Sequence, residues 1–290
     1  MPPWLSFLAV VTIWGSTWFV ITTQLAVIPA NWAVAYRFLL AAAVLWLVLL
    51  VRRERLALTM RQHALVALFG LLQFSLNYLL VYEAETHISS GLVAVVFALM
   101  VVTNPAIARL TIGQKMSPAL YLGAALSVTG IGLLYAREVT TLDWHDRGIV
   151  GLALCFGGVL AASAGNIFPA AKSLRGVSIN ALNAWGMVYG AIGSSIYAAF
   201  TDGPAPWSLE PRFLLGLGYL SILGSVVTFT LYLQLIRQWG VARAGYTSVL
   251  IPVVALAIST VLEGYQWSTL GLIGAGLALA GTLVAVASRR

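Results

Sequence analysis

The chain has 290 residues, of which 60% are hydrophobic and 9% charged, against roughly 25% charged in ordinary globular domains. Apolar stretches long enough to span a bilayer follow one another from end to end, which excludes a water-soluble domain. The formal charge is +7, and the single Cys, Cys155, excludes a disulfide framework and a cysteine-based metal site.

Ten spans are predicted, at about 4–27, 32–51, 64–82, 89–110, 119–136, 148–170, 178–200, 212–234, 243–262 and 269–287. The opening "MPPW" lacks the basic start of a cleavable signal, so span 1 is expected to be retained. Span 1 carries Thr12, Ser16, Phe19 and Thr23 on one stripe, with Trp14 and Trp18 nearly opposite. Both tryptophans lie too deep for the interfacial aromatic belt; they pack on span 2 or wall a cavity. Span 2 holds Arg37 near its outer end, where it is expected to pair with Glu83 or Glu85 or to snorkel to the surface.

In span 3, Gln73 and Asn77 share one face, and Ser75, Tyr78 and Tyr82 another. Span 5 aligns Gly123, Ser127 and Gly130, and span 10 aligns Gly274, Ala278 and Gly281; such small residues let helices approach closely. These two spans are expected to be packing elements, with a homodimer seam as one use. Span 6 offers Ser163 and Asn166, and span 7 aligns Asn180, Asn183, Met187, Gly190 and Ser194. Span 8 places Ser221, Ser225, Thr228 and Tyr232 at i, i+4, i+7 and i+11, on one face of a helix, and span 9 adds Tyr246 and Ser248.

Charge placement fixes the expected topology. Twelve of the sixteen basic residues fall in loops or ends on one side: Arg52, Arg53, Arg55, Arg61, Arg109, Lys115, Lys172, Arg175, Arg237, Arg243, Arg289 and Arg290. Three, Arg137, Arg147 and Arg212, fall on the other. Basic loops stay cytoplasmic, so both termini are expected inside, and the basic excess is a topology signal that leaves nucleic-acid binding no support.

The chain also repeats itself. "GAALSVTGIGLL" (123–134) recurs as "GAGLALAGTLVA" (274–285), and "SSGLVAV" (89–95) falls opposite "RAGYTSV" (243–249). Both matches pair span n with span n+5. Since five is odd, the second half must enter the membrane from the opposite side, an arrangement of secondary transporters that hold substrate between the halves. The predicted fold is an all-α polytopic membrane protein of ten helices in two inverted five-helix repeats, 1–140 and 141–290.

Intramembrane amides and hydroxyls need partners or water. One Ser or Thr is ordinary interhelical bonding, but aligned stripes on spans 1, 3, 6, 7 and 8 point to a shared wet cavity completed by span 9. The candidate lining residues are Ser16, Trp18, Asn77, Tyr78, Tyr82, Ser163, Asn166, Asn183, Thr228 and Tyr246. No Asp or Glu lies near mid-span and every His is at a span end, so no metal, cofactor or catalytic set is expected, and a membrane-embedded enzyme is the weaker class.

"WGS" (14–16), "YRFLLAA" (36–42), "VLIPVVALAISTVLEGYQWS" (249–268) and the terminal glycine patterns resemble the EamA branch of the drug/metabolite transporter superfamily across the whole chain. Within it the chain is most similar to YddG-type exporters of aromatic amino acids. There are departures: the branch's Gly-Glu after span 4 reads Gly113-Gln114, the order after span 9 is Glu263-Gly264, and Pro252 has no counterpart at the matching position of span 4. The glutamate that small multidrug carriers use in their first span is absent. The resemblance implies an exporter of small neutral metabolites, aromatic or other neutral amino acids foremost, working by alternating access in the plasma membrane (the inner membrane of a Gram-negative cell). A broader metabolite, sugar or drug exporter is the alternative. Glu83, Glu263 and Arg37 all lie near outer span ends, so transport down the substrate's own gradient is expected.

Overall fold

Ten helices run in sequence in the computed structural model, which describes residues 2–54, 56–88, 90–136, 146–262 and 267–287. They are α1 (Pro3–Leu25), α2 (Ala30–Val51), α3 (Met60–Glu85), α4 (Leu92–Ile112), α5 (Pro118–Leu134), α6 (Arg147–Ala170), α7 (Ile179–Thr201), α8 (Pro211–Trp239), α9 (Val241–Ile258) and α10 (Thr269–Ala287). Eight are long and apolar enough to cross a membrane, so the protein is a multi-pass membrane protein. Of the other two, α5 is apolar but only 17 residues long. The 23-residue α7 dilutes its apolar run with Asn180, Asn183, Ser194 and Ser195.

Helix starts follow local chemistry. Proline sits in the first turn of α1, α5 and α8, where its missing N–H costs no hydrogen bond. Thr59 and Gln62 form a reciprocal capping box at the start of α3. Gly113 ends α4 at φ +66°, a left-handed conformation that a side chain would strain.

Packing pairs helices in a recurring way. α5 lies along α10 and α2 along α7; α1 packs on α8 and α9, and α6 packs on α3 and α4. Advancing both numbers by five maps α5–α10 and α2–α7 onto themselves, turns α1–α9 into α6–α4 and α1–α8 into α6–α3, and likewise turns the contact of α2 with α8 into that of α7 with α3. The α5–α10 seam is made of the small residues: a methyl added at Gly130 would lie 2.5 Å from the Ala278 nitrogen and 2.6 Å from the Gly274 oxygen. The aligned glycines are therefore consumed inside the chain, and any self-association through these helices has to use their outer faces, where Tyr121, Leu122, Leu272 and Ile273 are exposed.

Two helices are interrupted at matching places. Leu71–Leu76 in α3 and Ile222–Val227 in α8 are single π-turns, each preceded by an eleven-residue α-helical stretch. In a π-turn the N–H reaches five residues back, so one carbonyl is released from the helix ladder. The Asn77 N–H goes to Leu72 O and releases Gln73 O; the Thr228 N–H reaches Leu223 O and releases Gly224 O.

Candidate functional site

The released carbonyls build a central cavity. Gly224 O accepts from Trp14 Nε1 (3.1 Å) and from Arg37 Nη2 (3.1 Å). The missing side chain of Gly224 gives Arg37 and Thr17 room; a methyl there would sit 3.0 Å from Thr17 Cγ2 and 3.2 Å from Arg37 Nη2. In α3 the freed Gln73 O accepts from Asn77 Nδ2 (3.3 Å), which fixes the amide's orientation and leaves Asn77 Oδ1 buried without a partner.

Around this point α1 contributes Trp14, Thr17, Trp18 and Ile21, α2 Arg37, and α3 Gln73, Asn77, Tyr78 and Val81. Phe97 and Met100 of α4, Ala162 of α6, Phe229 and Tyr232 of α8, and Thr247, Ser248 and Ile251 of α9 complete the wall. The cavity volume is about 60 Å³, room for about two waters at roughly 30 Å³ each. A larger solute needs the helices to part. The wall is mostly apolar, and its aromatic rings brace one another: Trp14 lies 5.0 Å from Phe229 and 5.0 Å from Tyr232, and Trp18 lies 5.8 Å from Phe97.

Arg37 is the main correction to the sequence reading. It was expected at the outer end of span 2, paired with Glu83 or Glu85 or reaching for the surface; instead it is 1% exposed and lines the cavity. Its Nε donates to Ser225 Oγ (2.9 Å) and Nη1 to Tyr82 OH (3.2 Å). The Tyr78 ring covers it at 4.6 Å. Among the described residues no carboxylate oxygen lies within 4.0 Å of it. The guanidinium reaches inward because two helices, α3 and α8, offer three neutral acceptors that substitute for water.

Of the ten candidate lining residues, Trp18, Asn77 and Tyr78 are on the cavity wall. Tyr82 stands just behind it, holding Arg37. Asn166 lies behind Tyr232, donating to its hydroxyl (3.1 Å) and to Asn104 Oδ1 (3.2 Å). Ser163 bonds Thr103 Oγ1 (2.6 Å) and is fully buried. Ser16 pairs with the Tyr219 hydroxyl and Asn183 donates to Thr230 Oγ1 (3.2 Å); both join helices and neither lines the cavity. Thr228 returns its hydroxyl to Leu223 O (2.6 Å). Tyr246 points to α5, donating to Leu120 O (2.6 Å).

The stripe on α7 is interhelical bonding: Asn180 donates to both oxygens of Glu54 (3.0 and 2.8 Å), and Ser194 donates to Ser75 (3.1 Å). The wall uses α2 and α4 where the sequence reading had placed α7. Sequence reasoning missed Trp14 as a firm lining residue, Gly224, Phe97, Asn104 and Phe229; of these, only the buried Asn104 carried a polar signal that face sorting could have caught. Glu263 lies outside the described residues.

The helices pack around a small, mostly apolar cavity walled by aromatic and amide side chains. The EamA-like transporter family model matches the chain twice, over residues 2–136 and 149–287, and the chain belongs to that family. It is 28% identical over 286 residues to the "Uncharacterized inner membrane transporter YedA" of Escherichia coli (strain K12), covering 94% of this chain and 88% of that one. It is 23% identical to the "Probable amino-acid metabolite efflux pump" of the same organism, covering 96% and 93%. A solved crystal structure superposes with a TM-score of 0.81 over 98% of this chain and 96% of its own, at 16% identity, and shares the fold.

Proposed function

We propose that the protein exports small neutral metabolites, aromatic or other large neutral amino acids foremost, by alternating access. The observation that carries this reading is the cavity itself: aromatic walls suited to a ring, with the buried amide oxygens of Asn77 and Gln73 unpartnered. The relative named as an amino-acid metabolite efflux pump supports the same substrate class.

The two halves, 1–140 and 141–290, form inverted repeats in this reading. The double family match, the matched π-turns of α3 and α8 and the recurrence of helix contacts at n+5 support it. Alternating access then consists of the halves rocking about the cavity, with α3 and α8 bending at their π-turns. Both termini face the cytoplasm, and reporter fusions after Arg55 and Arg290 should both read inside. The cavity-lining residues include no carboxylate, which fits carriage down the substrate's own gradient.

The test is counterflow of radiolabelled L-phenylalanine in proteoliposomes of the purified protein. Trans-stimulated uptake that needs no imposed pH gradient is expected. Uptake no faster than in protein-free vesicles, for phenylalanine and for a panel of neutral amino acids, would remove the amino-acid reading.

A further inference from the structure

We propose that Arg37 is the carboxylate-binding residue of the central cavity, so that the protein selects solutes carrying a carboxylate next to an apolar or aromatic body. This rests on the carrier reading above and narrows its substrate class.

A guanidinium removed from water is costly unless an anion pairs with it and its donors are used. Arg37 is 1% exposed, and its three hydrogen bonds all go to neutral groups: Ser225 Oγ, Tyr82 OH and Gly224 O. A guanidinium has five N–H donors, so two are left. The Tyr78 and Phe38 rings, 4.6 and 5.5 Å from the charged carbon, hold the planar fork without cancelling its charge. Glu85 acts on Arg37 electrostatically but forms no hydrogen bond with it, and both its oxygens are shielded from water with no partner. The cavity therefore contains a fixed cation whose counter-anion is not supplied by a direct contact with any described side chain.

The rest of the wall says what kind of anion fits. Two free N–H groups on a planar fork match the two oxygens of one carboxylate. A phosphate's second charge would find no further cation, because Arg37 is the only basic residue among those lining the cavity. The apolar surface of Trp14, Phe97, Phe229 and Ile251 suits a hydrocarbon or ring attached to the carboxylate. Asn77 and Gln73 line the same wall, with their unpartnered side-chain oxygens turned toward Gly158 and Gly165 of α6. Trp18 Nε1, equally unpartnered, is a further donor.

The experiment uses the wild-type protein in detergent and follows tryptophan fluorescence, since Trp14 and Trp18 line the cavity. The probes share one ring: L-phenylalanine and 3-phenylpropionate carry a carboxylate, while L-phenylalaninamide and phenethylamine carry only the amine. The two carboxylates should bind about ten- to a hundred-fold tighter than the two amines, the range for losing a hydrogen bond to a charged group. Equal binding by phenylalaninamide overturns the assignment of Arg37, and so does a fluorescence signal that no carboxylate moves; phenylalanine counterflow could persist in either case. Binding of carboxylates without phenylalanine counterflow supports the assignment and overturns the amino-acid reading instead. Arg37 also joins three helices, so its removal can unfold the protein. The charge-keeping Arg37→Lys is therefore the variant to use, with carboxylate affinity expected to fall about ten-fold and amine affinity unchanged. A folded Arg37→Lys protein that binds all four probes as the wild type does would also overturn the proposal.

Discussion

Counterpart helices in this molecule differ in how far their likeness extends. α5 and α10 begin 151 residues apart, at Pro118 and Thr269, and agree in both backbone and chemistry: glycine faces glycine along one seam. α3 and α8 share the same offset, and their π-turns begin at Leu71 and Ile222, again 151 residues apart. Their backbones agree; their chemistry does not. At the carbonyl each π-turn releases, α3 has Gln73 and closes the acceptor with its own Asn77, whereas α8 has Gly224 and leaves the acceptor to Trp14 and Arg37 from other helices. The comparison teaches that the two helices share a backbone pattern at a common offset, and that the cavity is built where their chemistry departs. A helix seam can be symmetric because packing asks only for shape. A site that reads the two ends of an asymmetric solute cannot.

The strongest test of the symmetric seam is Gly274→Val. A methyl there meets the Gly130 oxygen and the Leu134 backbone, and overpacking against immovable backbone costs about 3 kcal/mol. Most of the protein is expected to be lost from the folded peak on gel filtration in detergent. Gly276→Val, on the same helix with open space at its α-carbon, should elute as the wild type does. Similar behaviour of the two would break the seam half of the comparison.

The asymmetric half predicts a smaller, functional loss. Gly224→Val places bulk where Arg37 and Thr17 approach, and counterflow is expected to drop about ten-fold in protein that still elutes as a single peak. At the counterpart position, Gln73→Ala removes one unpartnered acceptor, with a loss of about three-fold. Equal losses would mean that the two π-turns serve the same purpose.

Asn77 and Thr228 sharpen the contrast further, being counterparts that close their respective π-turns. Asn77→Ala should raise the KM for phenylalanine about three- to ten-fold, because Asn77 lines the cavity. Thr228→Val should leave KM unchanged and lower stability by less than about 1 kcal/mol, since its hydroxyl serves only its own helix. A KM change in the Thr228 variant would move that residue onto the transport path.

The smallest effect is one of access. In a Cys155→Ala background, cysteines at Thr17 and Ser248 are expected to react with small water-soluble thiol reagents, because both residues line the cavity. Cysteines at Ser127 and Ala278, buried in the seam, and at Asn183, held between α7 and α8, should stay protected. Labelling at 183 equal to that at 17 would restore α7 to the cavity wall.

Composition and periodicity by themselves determined that the chain is a bundle of membrane helices, because every backbone group in lipid must be satisfied internally and only long apolar helices do that in a chain of this pattern. The glycine spacing of spans 5 and 10 was equally legible, since close approach is a property of residue size. Which stripes face the cavity was not. Asn183, Thr228 and Tyr246 are as polar as Asn77, but each sends its donor to a neighbouring helix or to its own backbone, and helical periodicity records a face without recording what lies against it. Arg37 shows the same limit most clearly. Its position in the sequence allowed a surface-reaching charge; only the tertiary structure, by bringing Ser225, Tyr82 and the Gly224 carbonyl released by a π-turn around it, made burial of that charge affordable and placed it in the cavity wall.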